Sequence, residues 1–302
     1  DQTLTLTASN NVNINANLSA TGNTAGLVIQ PNTTHNYGGT TQAASGTGVF
    51  NLLLGKTITL SGSTPTLSIA GNSYTVINSL GTYQSTTTST LQGMEGNLAG
   101  YYALGSDVDA STTSSWGSGV GFRPIGYNSS TGFSGSFQGL GHSISGLTVN
   151  STGLTSVGMF AKTSSTAKIS NVGLVGGTTS SANATNIGGL VGFNDGGTIN
   201  KSFNTGSVTA SNSASGVGGL VGGNASLGTI SNSYATGHVS TGTSSGAIGG
   251  LVGHSNGTIS NSYAEGSVTA GANTGRNLDT DSNGVGGLAG YASGTVSNSY
   301  AA

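Results

Sequence analysis

The string GGLVG occurs at residues 188–192, 218–222 and 249–253 and returns as GGLAG at 286–290. Successive copies begin 30, 31 and 37 residues apart. A second block follows each copy: GTINKSFNTGSV from Gly197, GTISNSYATGHV from Gly228, GTISNSYAEGSV from Gly257 and GTVSNSYAA from Gly294. A degenerate copy precedes them, with residues 157–160 in the place of GGLVG and 167–172 in the place of the second block. Self-similarity at a fixed period of about 20–50 residues marks a chain of stacked units, none of which can bury its apolar face alone. Each unit reads as three short strand-like segments separated by Gly-rich turns.

A helical reading fails on composition and on period. Ser, Thr, Asn and Gly are poor helix formers, and no stretch places apolar residues at i, i+3, i+4 and i+7. The second block alternates with period two, which puts Ile230, Asn232 and Tyr234 on one face and Ser231 and Ser233 on the other. Stacking equivalent strands ~4.8 Å apart then gives each a neighbour above and below, and the expected fold class is all-β, a parallel β-solenoid. Ile169, Ile199, Ile230, Ile259 and Val296 should form one interior column, and Leu190, Leu220, Leu251 and Leu288 a second. Asn171, Asn232, Asn261 and Asn298 share a repeat position suited to a ladder of side-chain amides, a row that Lys201 interrupts. Phe203, Tyr234, Tyr263 and Tyr300 read as a stacked structural column, because repeat units place like residues over like.

Residues 1–92 lack GGLVG but keep the alternation, in TLTLTAS from Thr3, NVNINANLSA from Asn11, KTITLSG from Lys56 and PTLSIAGNSYTVI from Pro65. No Pro-rich or charged linker intervenes, so one continuous solenoid is expected: irregular coils over 1–92, coils leading into the repeats over 93–150, and repeat coils over 151–302. At roughly 25 residues per coil and ~4.8 Å rise, that gives about a dozen coils and a length near 60 Å. The sequence reads as a piece of a longer, already processed protein. Its open strand edges are expected to meet further coils or another copy.

The 302 residues carry only 6 basic and 8 acidic side chains, a charged fraction of 5 %, against about 25 % in ordinary soluble domains. Six scattered cations and a net charge of −2 give no footprint for a phosphate backbone, so nucleic acid is not an expected partner. No apolar run approaches the ~18 residues of a membrane-spanning helix. Gly is 55 but Pro only 3, which excludes a collagen triple helix. The absence of Cys removes disulfides, thiolate metal sites and cysteine catalysis. Plentiful Val, Ile and Thr at regular spacing favour ordered strands over disorder.

Candidate chemistry is sparse. Asp107 and Asp109 lie at i and i+2 in GSDVDAS and would share a strand face, as a paired acid and nucleophile do, or they serve a turn. His35, His142, His238 and His254 occupy unrelated repeat positions, and none is expected beside the two aspartates. Catalytic and cofactor-binding residues are therefore expected to be none. Residues 279–284, DTDSNG, match the opening of a calcium loop, with Asp279, Asp281 and Asn283 as oxygen ligands. The twelfth position, where a bidentate Glu would stand, is Gly290, so the alternative is a plain polar loop inserted between coils. Tyr101, Tyr102, Trp116, Phe122 and Tyr127 concentrate the aromatic residues of the middle region. They can either stack on sugar rings from an exposed face or plug the core.

The GGLVG…GTIxNSYxxGxV units resemble GLUG repeats, which occur in large bacterial surface and secreted proteins. Upstream, TLTLTASNNVNINANLSATG resembles the repeats of filamentous-haemagglutinin-like exoproteins. LAGYYALGSDVDAS, followed by GFRPIG, SFQGLGHSISGLTVN and VGMF, is similar to the segment that introduces GLUG repeats in those exoproteins. The resemblance implies a right-handed parallel β-helix, the shaft of a secreted or surface-attached adhesin that mediates attachment, biofilm formation or cell–cell contact. It also implies export through a dedicated outer-membrane two-partner-secretion transporter. The implied ligands are a host or bacterial surface glycan or protein, or a matrix polysaccharide, and a polysaccharide-binding or polysaccharide-degrading β-helix is the alternative. No catalytic residue carries over, so an enzyme is not expected. GLUG units also occur in immunoglobulin A peptidases outside the protease domain, and the HExxH zinc motif is absent from this sequence.

Overall fold

Short β-branched stretches such as TIS and SVTA alternate inward and outward side chains, and a turn ends each after three or four residues. A computed structural model describes residues 2–37, 40–274 and 284–302 of the chain. The architecture is all-β, and among the described residues helical structure is confined to two 3₁₀ segments, Gln92–Gly96 and Ser111–Gly119. No helix among them is long and apolar enough to cross a membrane.

From Ser136 onward each unit feeds five sheets in a fixed order. Thr198–Asn200 joins the longest sheet, Phe203–Asn204 a second, Ser207–Ala210 a third, Gly216–Gly218 a fourth and Val221–Asn224 a fifth, and Thr229–Ser231 then returns to the first. Neighbouring strands from consecutive units run parallel and in register, so that Ile199 lies opposite Ile230 and Ile230 opposite Ile259. The unit thus has five strands where the sequence suggests three. The difference arises inside GGLVG, which turns a corner instead of running straight: Gly218 ends one strand, Val221 opens the next, and Leu220 fills the bend from inside. A Cβ at Gly219 would collide with the carbonyl oxygen of Gly250 in the next unit, so this corner admits only glycine.

Both expected interior columns are present. Ile169, Ile199, Ile230 and Ile259 are buried, as are Leu190, Leu220 and Leu251, and each such side chain contributes roughly 1.5–3 kcal/mol when fully buried. Val296 keeps the register opposite Ile259 but is 43 % exposed, because no described strand stacks on its far side. The unit length also departs from the roughly 25 residues expected: Ser202, Ser233, Ser262 and Ser299 follow one another at 31, 29 and 37 residues.

The Asn column is where alternation misleads. Asn171, Asn232, Asn261 and Asn298 adopt φ of 56°, 51°, 49° and 48°, and Lys201 at the same position has φ 49°. These residues form a left-handed turn between the first and second sheets, a conformation that Asn tolerates better than most residues. The turn resets the alternation, so Ile230 points inward while Tyr234 is half-exposed. Instead of an amide ladder, Asn171 donates to Gln138 Oε1 at 3.0 Å and Asn232 to Asn200 Oδ1 at 2.8 Å. Lys201 points outward, its Nζ donating to the carbonyl of Leu52 at 2.8 Å.

The buried ladders lie elsewhere. Thr163 Oγ1 donates to Asn194 Oδ1 (2.6 Å), Asn194 Nδ2 to Asn224 Oδ1 (2.8 Å), and Asn224 Nδ2 to Ser255 Oγ (3.0 Å). A hydroxyl ladder runs in parallel: the backbone N–H groups of Ser202, Ser233 and Ser262 donate to the Oγ of Ser233, Ser262 and Ser299. Such chains satisfy polar groups that would otherwise each cost about 1–3 kcal/mol.

Toward the N-terminus the strand direction reverses. Thr3–Thr7, Gly26–Gln30 and Thr66–Ile69 pair in parallel, but Asn72–Ile77 folds back antiparallel on Thr66–Ile69 before pairing in parallel with Tyr101–Leu104. A separate core of Val12, Ile14, Leu27, Ile29, Leu52 and Ile58 lies on this side. Polar tethers cross to the repeat units, among them Lys201 to Leu52 and His142 to Ile58.

Candidate functional site

Asp107 and Asp109 are each engaged in separate local hydrogen bonds. Asp107 accepts hydrogen bonds from the N–H and hydroxyl of Ser143 at 2.8 and 3.2 Å and stands 3.3 Å from His142 Nδ1. Burial pushes its pKa up, but the Ser143 N–H and the neighbouring His142 outweigh that and hold it below the usual carboxylate range. Asp109 accepts the Ser111 N–H at 2.9 Å, which lowers its pKa too. Contrary to the expectation from sequence, a histidine does stand beside Asp107. Val108 lies opposite Ile144, and this register brings His142, just ahead of the strand Ser143–Ser145, to Asp107. His142 is buried, with Nε2 donating to the Ile58 carbonyl at 3.1 Å. The group links two parts of the fold, and Ser143 hydrogen-bonds the carboxylate, not the imidazole.

The middle-region aromatics divide. Tyr102 and Phe122 are core, and burial raises the Tyr102 pKa to about 12. Trp116 packs edge-on against Tyr83, and the Arg123 guanidinium sits 4.3 Å above the Tyr127 ring. Of the five, Tyr101 is exposed, at 40 %. It meets Tyr74 edge to face, with centroids 5.4 Å apart, and Tyr74 Oη shares a hydrogen bond with Ser136 Oγ at 3.1 Å. Sequence reading misses Tyr74, because only the antiparallel turn after Ile69 brings it to Tyr101. These rings wall a groove of about 500 Å³ on the outer face of the longest sheet, with Ser136, Gln138, Lys168 and Thr198 along its floor.

On the second sheet Phe203, Tyr234, Tyr263 and Tyr300 form the expected aromatic column, with centroids 4.7, 4.8 and 5.4 Å apart and planes within 8° of parallel. Asp279, Asp281 and Asn283 lie outside the described residues. Among the described residues no three His, Asp or Glu side chains gather as a metal set.

The repeated five-strand unit has counterparts elsewhere. Three stretches match the GLUG motif. They span residues 183–209, 213–240 and 244–269, so each GLUG stretch is one structural unit running from the fourth sheet round to the third. Halomucin of Haloquadratum walsbyi (strain DSM 16790 / HBSQ001) is 44 % identical over 73 residues, which are 24 % of this chain and 1 % of halomucin. A solved structure from Bacteroides ovatus, described as a "putative immunoglobulin A1 protease", superposes with a TM-score of 0.52 at 23 % identity, covering 76 % of this chain and 75 % of that one. At that identity the likeness is one of fold. The GLUG stretches hold three of the four stacked rings, whereas Tyr74, Tyr101, Ser136, Gln138 and Lys168 all precede the first stretch.

Proposed function

We propose that the chain belongs to the shaft of a secreted bacterial surface adhesin, its strands wound as a right-handed parallel β-helix with coils over 1–92, 93–150 and 151–302. The observation that carries this is the in-register return of the same five strands in unit after unit. Such a stack lengthens by adding units without redesign of the core. A surface of Ser, Thr and Asn with few charges hydrates without long-range fields, which suits a rod outside the cell. Export through a two-partner-secretion transporter follows from the resemblance of residues 3–22 and 98–160 to filamentous-haemagglutinin-like exoproteins, and the role is attachment, not catalysis. Calcium at Asp279, Asp281 and Asn283 is part of the same proposal and is tested by calorimetry of the chain against Asp281→Ala.

Small-angle scattering of the chain and display of the chain on a non-adherent bacterium test the reading together. An elongated particle whose display confers attachment supports it. A near-spherical particle, or display without attachment, contradicts it.

A further inference from the structure

The outer face of the longest sheet carries a row set by register. Tyr101 lies opposite Ser136, Ser136 opposite Lys168, and Lys168 opposite Thr198. With strands ~4.8 Å apart, Tyr101 and Lys168 are separated by roughly 10 Å along the stack, a span that a disaccharide bridges. A second outward row, Gln138, Ser170 and Asn200, runs beside it. Gln138 Oε1 is taken by Asn171, which leaves the amide hydrogens of Gln138 for a ligand. The turn after Ile69 and the Tyr74 ring close one side of the groove.

The charge is one-signed. No Asp or Glu lines the groove, and among the described residues Lys168 has no carboxylate within ion-pair distance. A single cation is too little for a nucleic-acid backbone. An exposed tyrosine, neutral hydroxyl and amide groups and one unpaired ammonium match a sugar chain bearing carboxylates: the ring stacks on an aromatic face, the hydroxyls exchange hydrogen bonds, and the carboxylate meets the lysine. Beyond Lys168 the row continues flat and polar through Thr198, Thr229 and Thr258, so a chain longer than the groove can leave along the stack.

We propose that this groove binds an acidic, uronate-containing polysaccharide, with Tyr101 as the stacking platform and Lys168 as the counter-ion of a sugar carboxylate. The proposal gives the adhesive reading above its ligand class and rests on it.

The test is calorimetry of the whole chain with oligogalacturonate, alginate and hyaluronan oligosaccharides, and with methyl-esterified oligogalacturonate as the uncharged counterpart. At least one uronate should bind, oligogalacturonate more tightly than its ester if it is the one. Lys168→Gln, at an exposed position, should weaken the bound uronate about tenfold, and Lys56→Gln, a cation outside the groove, should leave it unchanged. Tyr101→Ala should weaken charged and esterified chains alike. Binding of none of the three uronates, or full retention of affinity in Lys168→Gln, overturns the proposal. A rod that confers attachment while ignoring all uronates would sink the groove assignment and spare the shaft. A compact particle that binds uronate through Lys168 would do the reverse.

Discussion

Phe203 and Tyr234 stack face to face, their ring centroids 4.7 Å apart and their planes 2° from parallel. The stack starts at Phe203 because the residue opposite it in the preceding unit is Gly173, where any side chain would collide with the Phe203 ring. Gly173→Ala should therefore destabilise the protein by about 1–3 kcal/mol through overpacking. Adding Phe203→Ala should remove most of that penalty. Chemical denaturation of the two single variants and the double variant gives the coupling, and strictly additive losses would refute the steric account.

The buried ladder makes a contrasting prediction. Asn224 receives Asn194 and donates to Ser255 in the interior. Asn224→Ala should cost about 2–4 kcal/mol, since it removes these bonds and the one to the Gly228 carbonyl and leaves buried polar groups without partners. Ser231→Ala, which removes the half-exposed bond to Asn200, should change the unfolding midpoint little.

Substitutions at the turn should separate backbone from side chain. Asn261 sits at φ 49°, so Asn261→Val should cost about 1–2 kcal/mol while Asn261→Gly stays close to neutral. Equal losses for the two would mean that the amide, not the conformation, matters there.

These turns also show how much of the molecule was legible in the sequence. The Ile and Leu columns and the aromatic stack were readable because each repeats at one position and faces one way. Period-two alternation misplaces the Asn column, because a left-handed turn resets it without any change in the spacing of apolar residues. His142 beside Asp107 leaves no repeated trace, since the two precede different strands and the pair occurs once. The Tyr74–Tyr101 wall was hidden for a similar reason: its geometry depends on the antiparallel turn at Ile69 and Asn72.

Acid stability should depend on Asp107. Its folded pKa lies below the ordinary value, so its contribution is fully present above the unfolded carboxyl value, ~3.9, and is lost as pH falls through the lower folded value. Asp107→Asn should flatten the fall in denaturation midpoint between about pH 5 and pH 2. An acid limb identical to that of the unsubstituted chain would show that the carboxylate adds nothing.

The in-register parallel stacking of units is tested most directly by cross-linking, since the chain has no cysteine of its own. Thr229 and Thr258 face each other across adjacent parallel strands on the outer surface, with Cα atoms at a separation that a disulfide spans. The variant carrying Thr229→Cys and Thr258→Cys should close an intramolecular disulfide under mild oxidation, while Thr229→Cys with Ser260→Cys, offset by two residues, should not. Efficient closure of the offset pair in place of the matched one would contradict the register on which the whole account stands.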